Sequence, residues 1–236
     1  MVALTILPGM DGTGALLRDF VSALGPGFET TVVSYPPDRA LGYSELESLV
    51  RSFLPTHRPY VLLGESFSGP LAVSIAAARP AGLMALVLSC SFVRNPRPVF
   101  GAAWPILRLF PHTLAPTWLL DACLLGRFSS PDRRSTLRKP LVEISKAALR
   151  ARLQAVVDID VSRELPKLGV PVLYLRGAED RLVPRSCSEA IARDAPQVQI
   201  VDIEAPHFLL QVAPSAAAAA VKDFVRTVAP SAAREA

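Results

Sequence analysis

The stretch Tyr60-Val61-Leu62-Leu63-Gly64-Glu65-Ser66-Phe67-Ser68-Gly69-Pro70 decides how this 236-residue chain folds. Apolar residues of β-forming type run directly into a Gly/Ser turn, and the Ala-, Val- and Ile-rich run Pro70–Ala78 behind it reads as a helix. A strand that enters a tight turn and leaves as a helix lifts the residue at the apex, Ser66, clear of the sheet and onto a helix N-terminus. Small residues two before and two after let strand and helix approach closely. The pattern departs from Gly-x-Ser-x-Gly at Ser68, with Gly69 one place later, and serine is still small enough for the turn. Taken alone, the stretch is also compatible with a Ser/Gly-rich loop that has no chemistry.

Working outward, six apolar runs read as strands: Val2–Leu7, Thr30–Val33, Tyr60–Leu63, Leu83–Leu88, Val170–Leu175 and Val198–Ile203. Several lack polar/apolar alternation, as strands covered on both faces do. Helical patterns lie between them: Leu16–Leu24 after the cap candidate Thr13, Glu45–Phe53 after Ser44, Ser186–Arg193, and Ser215–Val228. Four of the five intervals between strand starts run from 23 to 30 residues, about one βαβ unit each. This predicts an α/β fold with a doubly wound, mainly parallel sheet of about six strands.

The interval from Leu83 to Val170 is too long for one crossover and predicts an insertion. The expected division is a core of residues 1–92 and 166–236 and a helical cap of residues 93–165. Within the cap, Ala102–Phe110, Leu114–Leu125 and Ser145–Val157 have helical character, broken by Pro105, Pro111, Pro116, Pro131 and Pro140. Ligands of such sheets bind beyond the carboxyl ends of the strands, and the insertion begins at one of those ends. Phe92, Trp104, Phe110 and Trp118 are the candidate substrate-pocket residues. The competing reading is that these aromatics only hold the cap together.

Two further segments carry chemistry. Gly177-Ala178-Glu179-Asp180-Arg181-Leu182-Val183-Pro184 follows the fifth strand, and Ala205-Pro206-His207-Phe208 follows the sixth. The order Ser66, Asp180, His207, each just past a strand end, is that of a nucleophile–acid–base triad. His207 is one of three histidines; His57 precedes the third strand and His112 lies in the insertion. For the acid, Glu179, Asp202 and Glu204 stay open beside Asp180, which the spacing to Val183-Pro184 favours. Leu7-Pro8-Gly9-Met10-Asp11-Gly12-Thr13-Gly14 follows the first strand, where one oxyanion donor is expected. The candidate donors are the backbone N–H groups of Met10 and Phe67. The glycines there also suit a plain turn, but a phosphate loop lacks its G-x-G-x-x-G register and its lysine.

On the segments Leu7–Gly14, Gly64–Gly69, Gly177–Pro184 and Pro206–Leu210 the chain resembles the α/β-hydrolase superfamily, close to small cap-bearing bacterial esterases and lipases. The resemblance covers the core on both sides of residues 93–165 and implies a sheet lacking the family's first two strands. It also implies a serine hydrolase that cleaves carboxylic esters with an apolar acyl or alcohol part through an acyl-serine. The alternatives are acyl transfer to an alcohol and a catalytically silent ligand-binding protein.

Composition narrows the rest. Half the residues are hydrophobic, which excludes disorder, yet no run approaches the ~18 consecutive apolar residues of a spanning helix. The net charge is +4, and residues 90–165 hold twelve Lys/Arg against six Asp/Glu, scattered rather than clustered. Neither nucleic acid as a partner nor stable insertion into a membrane is therefore expected; a small ester substrate is, with the chain a monomer or homodimer. Cys90, Cys123 and Cys187 form neither a disulfide framework nor a metal-like spacing, so no metal and no cofactor are expected. The apolar run Val2–Leu7 is too short for a signal segment, and the expected location is cytoplasmic.

Overall fold

The computed structural model describes residues 1–98 and 117–228. Its six strands are β1 (Val2–Leu7), β2 (Phe28–Val32), β3 (Tyr60–Glu65), β4 (Leu83–Ser89), β5 (Val172–Gly177) and β6 (Val198–Ile203). They form one sheet in the order β2-β1-β3-β4-β5-β6. All pairings are parallel. The mainly parallel, doubly wound sheet expected from the strand spacing is what the chain forms.

The described helices are α1 (Arg18–Leu24), α2 (Tyr43–Arg51), α3 (Gly69–Ala77), α4 (Thr117–Leu124), α5 (Pro131–Glu143), α6 (Lys146–Asp158), α7 (Arg185–Asp194), α8 (Leu209–Val212) and α9 (Pro214–Val228). The apolar runs earn their strands by filling both faces. Tyr60 and Leu62 of β3, Leu86 and Leu88 of β4, and Val172 and Tyr174 of β5 pack with Leu46, Val50, Leu71, Val73 and Ile191 from α2, α3 and α7. The alternate residues Val61, Leu63, Val87, Leu173 and Leu175 pack with Phe20, Leu24, Val221 and Phe224 from α1 and α9. Each fully buried side chain of this size stabilises the fold by about 1.5–3 kcal/mol. Every residue of central β3 is buried, whereas edge strands β2 and β6 are partly exposed and correspondingly more polar.

Several boundaries differ from the sequence reading. The cap of α2 is Gly42, whose N–H goes to Glu45 Oε2 at 3.1 Å, rather than Ser44. Before α1, Thr13 Oγ1 accepts Ala15 N–H, and a 3-10 turn Ala15–Leu17 precedes the helix. Pro131 and Pro140 do not break the chain; both lie in α5. Pro131 stands at the helix start, where its missing N–H has no intrahelical partner to lose, and Ser130 Oγ caps Arg133 N–H at 3.2 Å. Pro140 lies in the last turn, where it removes the N–H bond to the Thr136 carbonyl without ending the helix. The expected helix at 145–157 is α6, capped by Ser145 Oγ on Ala148 N–H at 3.1 Å. The helix expected at Ala102–Phe110 lies outside the described residues. Among the described residues no helix is long and apolar enough to cross a membrane.

Candidate active site

Because the strands are parallel and in register, their carboxyl ends lie level: Leu7 beside Gly64, Glu65 beside Ser89, and Gly177 beside Ile203. The loops that leave those ends therefore converge. Ser66 follows β3 with φ +48°, a left-handed conformation that costs a non-glycine residue about 1–2 kcal/mol. Its neighbours hold it there. A Cβ at Gly64 would stand 2.8 Å from both the Ala72 Cβ and the Ser68 carbonyl, so only glycine lets strand and helix close to this distance. Ser91 Oγ donates to the Ser66 carbonyl at 2.6 Å. Tyr174 OH donates to the Ser91 carbonyl at 2.6 Å and accepts the Ser91 N–H at 2.9 Å.

Ser68 has a partner on each side. Tyr35 OH and Ser68 Oγ are 2.6 Å apart, and Ser68 Oγ donates to the Pro8 carbonyl. With its single proton committed to Pro8, Ser68 accepts from Tyr35. The residue that departs from Gly-x-Ser-x-Gly thus ties the elbow to the loop after β1.

Ser66 Oγ lies 2.8 Å from His207 Nε2, and His207 Nδ1 lies 2.9 Å from Asp180 Oδ2. Asp180 Oδ1 accepts the N–H groups of Leu182 and Val183 at 2.8 and 2.9 Å. Burial pushes the Asp180 carboxyl upward, but the neighbouring imidazole and the two backbone donors outweigh it and leave the acid below the usual carboxylate range. A carboxylate only accepts, so Nδ1 carries the proton and Nε2 is free to accept from Ser66. The other carboxylates point elsewhere: Glu179 and Glu204 are held by Arg127, and Asp202 by Arg176. His57 is exposed at the opposite end of the sheet, and His112 lies outside the described residues.

Met10 and Phe67 sit in the loop after β1 and directly after Ser66; the Phe67 ring is buried and stacks on Tyr43 with centroids 4.8 Å apart. Of the pocket candidates, Phe92 is buried beside the β4 end. Trp104 and Phe110 lie outside the described residues, as does the Trp118 side chain. Among the described residues one cluster has metal-like proximity, Cys90 with Asp180 and His207, within 4.8 Å of one another. Burial and the adjacent Asp180 hold the Cys90 thiol well above its ordinary pKa.

Two residues here were missed by the sequence reading. Glu65 is buried and ends an otherwise apolar strand, its Oε2 accepting Gly9 N–H at 3.1 Å and its Oε1 accepting from Gln211 Nε2 at 2.7 Å. Arg152 is 1% exposed on α6, where its Nη1 donates to the carbonyls of Met10 and Asp11 and Nη2 to that of Pro36. Both were signalled by a charge on an apolar pattern, Arg152 falling four places after buried Ala148.

The family model for serine aminopeptidase S33 matches residues 44–208. A pimeloyl-[acyl-carrier protein] methyl ester esterase of Xanthomonas oryzae pv. oryzae is 28% identical over 227 residues, covering 85% of each chain. Among solved structures, an esterase from Exiguobacterium antarcticum superimposes with TM-score 0.81 at 14% identity, covering 96% of this chain and 92% of the other. The enol-lactonase of Burkholderia xenovorans LB400 does so with TM-score 0.79 at 16% identity, covering 95% and 91%. The chain belongs to the serine aminopeptidase S33 family and is an α/β-hydrolase of the esterase type.

Proposed function

We propose that the protein hydrolyses carboxylic esters with an apolar acyl or alcohol part through an acyl-Ser66 intermediate. The observation that carries this reading is the unbroken chain Ser66 Oγ–His207 Nε2 at 2.8 Å and His207 Nδ1–Asp180 Oδ2 at 2.9 Å, standing where three parallel strands end. Ser66 Oγ attacks the ester carbonyl as its proton passes to His207 Nε2, and the same proton then goes to the departing alcohol. Water attacks the acyl-serine next, giving its proton to His207, and the acid leaves as Ser66 is reprotonated. Asp180 keeps the imidazole in the tautomer that accepts and steadies the imidazolium. The Met10 and Phe67 N–H groups face the developing oxyanion, a role whose loss costs about 2.7–4 kcal/mol per donor in other enzymes.

Residues 93–165 act as a cap over this site. Two features support that division: Val161 N–H donates to the Val93 carbonyl at 2.8 Å, closing the neck of the excursion, and Leu125 and Leu137 pack with Leu16 and Phe208, next to His207. We carry Phe92, Trp104, Phe110 and Trp118 forward as the proposed substrate-pocket residues, Phe92 being the one whose side chain is described. The Xanthomonas relative's name joins a methyl ester to an acyl-carrier protein; at 28% identity we carry over the ester class only.

A panel of p-nitrophenyl esters from acetate to palmitate, beside amino-acid p-nitroanilides and a Ser66→Ala control, tests the reading. The expected profile peaks at short to medium acyl chains, with the anilides inert. Anilide turnover exceeding ester turnover, or an unlabelled Ser66 after fluorophosphonate treatment, overturns it.

A further inference from the structure

We propose that Arg152 is a positioning residue for the oxyanion loop: its buried guanidinium, delivered from the 93–165 insertion on α6, fixes the Met10–Asp11 backbone and with it the direction of the Met10 N–H. The inference rests on the acyl-Ser66 reading for its catalytic consequence.

Arg152 Nη1 donates to the Met10 and Asp11 carbonyls, each at 2.9 Å, and Nη2 donates to the Pro36 carbonyl at 3.1 Å. These acceptors belong to the loops after β1 and β2, so one side chain joins the insertion to both. Among the described residues it forms no ion pair; the nearby Asp11 turns its Oδ2 to the Thr13 N–H and hydroxyl instead. A buried charge whose hydrogen-bond acceptors are all carbonyls, with the Tyr35 ring 5.7 Å from the guanidinium carbon as its other partner, is costly to desolvate. The neighbouring inward residues of the helix, Ala148, Ala155 and Val156, are apolar, which is what packing alone would call for.

The loop is built around the guanidinium. Gly12 adopts φ +71°, and a Cβ there would come within 2.5 Å of Arg152 Nη1. Preceding Met10, the Gly9 N–H is held by Glu65 and the Gly9 carbonyl accepts the Gly12 N–H at 3.0 Å. Following Met10, its own carbonyl is held by Arg152. The peptide planes on both sides of Met10 are thereby fixed, and the clamp on the later side comes from the insertion. A guanidinium suits this because its planar fork spreads several donors at set angles, which a lysine ammonium on a flexible stem cannot do.

The test compares Arg152→Met, Arg152→Lys and Arg152→Ala with the wild-type chain by single-turnover acylation and by hydrogen exchange of the Met10–Gly12 amides. We expect Arg152→Met to lower the acylation rate at saturating p-nitrophenyl ester about 10- to 100-fold, part of what losing an oxyanion donor costs. KM should stay within about threefold. Loop exchange should rise about tenfold. Methylguanidinium should restore part of both in Arg152→Ala. Arg152→Lys, which keeps the charge, should fall between and serves as the variant if Arg152→Met does not fold. An unchanged saturating rate per titrated active site, with only the melting temperature lowered, makes Arg152 a staple and overturns the proposal. Unchanged loop exchange overturns it regardless of activity. If loop exchange responds but wild-type Ser66 is never acylated, the clamp stands and the acyl-Ser66 reading falls.

Discussion

Glu65 Oε2 accepts the Gly9 N–H at 3.1 Å, joining the residue before Ser66 to the loop after β1. Its second oxygen takes the Gln211 amide, so both partners are neutral, and burial raises the Glu65 pKa to about 7. Asp11 raises it further, while Gln211, His207 and the Gly9 N–H pull in the other direction.

This carboxyl makes stability depend on pH with a definite sign. Its folded pKa lies above the unfolded value of 4.5, so its contribution is fully present below pH 4.5 and is lost as pH rises through about 7. The loss is on the order of 3 kcal/mol. Asp180 works oppositely: its folded pKa is depressed, and its contribution disappears as pH falls below the ordinary aspartate range. Thermal unfolding across pH 4–8 should show Tm falling towards pH 8 in the wild type and a flatter profile in Glu65→Gln. Equal slopes in both would remove Glu65 as the source.

Ser66→Ala and His207→Ala should each lower ester turnover by about 10⁴-fold or more without changing Tm by more than a few degrees, because members of a triad fail as a unit. Asp180→Asn should cost about as much, since an amide there favours the wrong imidazole tautomer. Glu179→Gln should cost less than tenfold, its carboxylate being engaged by Arg127. A larger loss at Glu179 than at Asp180 would move the acid by one position.

Gly69 has ordinary helical backbone angles, yet a Cβ there would overlap the Ser91 hydroxyl. Gly69→Ala alone should destabilise by about 2 kcal/mol or more through overpacking. Adding Ser91→Gly removes the obstructing atoms and should recover Tm, while activity stays low because the Ser66 carbonyl has lost its donor. A double variant no more stable than Gly69→Ala would disprove the steric account.

Ser68→Gly restores the simpler elbow pattern and should make the protein worse. It strands the buried Tyr35 hydroxyl and removes the bond to Pro8, a cost of about 1–3 kcal/mol. At this size each kcal/mol lowers Tm by about 2–4 °C. Calorimetry on Ser68→Gly and Tyr35→Phe checks it, and the pair together should cost less than the sum because they share one interaction.

Much of the fold was legible because a parallel sheet covered on both faces writes itself as short apolar runs at βαβ spacing. Val2–Leu7 and Val198–Ile203 fall on the same residues in sequence and structure, since their patterns end at Pro8 and at Glu204. The order Ser66, Asp180, His207 was legible for a related reason: each follows a strand, and parallel strands bring their carboxyl ends to one edge. Helix α5 was not, because Pro131 at its start costs nothing and the bond that Pro140 removes in its last turn does not end it, and composition does not say which position a proline holds.

The sheet, the strand–turn–helix at Ser66 and the order Ser66, Asp180, His207 could be read from the chain, because those depend on local periodicity and on the order of elements. The tertiary structure decided which carboxylate faces the imidazole: Asp180 turns to His207 while arginines far away in sequence draw off its rivals. It decided that Ser91, Tyr174, Glu65 and Arg152 brace the site. Arg152 reaches Met10 across 142 positions of chain, and Tyr174 reaches Ser91 across 83. A charge in an apolar run marks Glu65 and Arg152, but their partners leave no local pattern, for those contacts exist only after the sheet has formed and the insertion has folded back onto the loops at its edge.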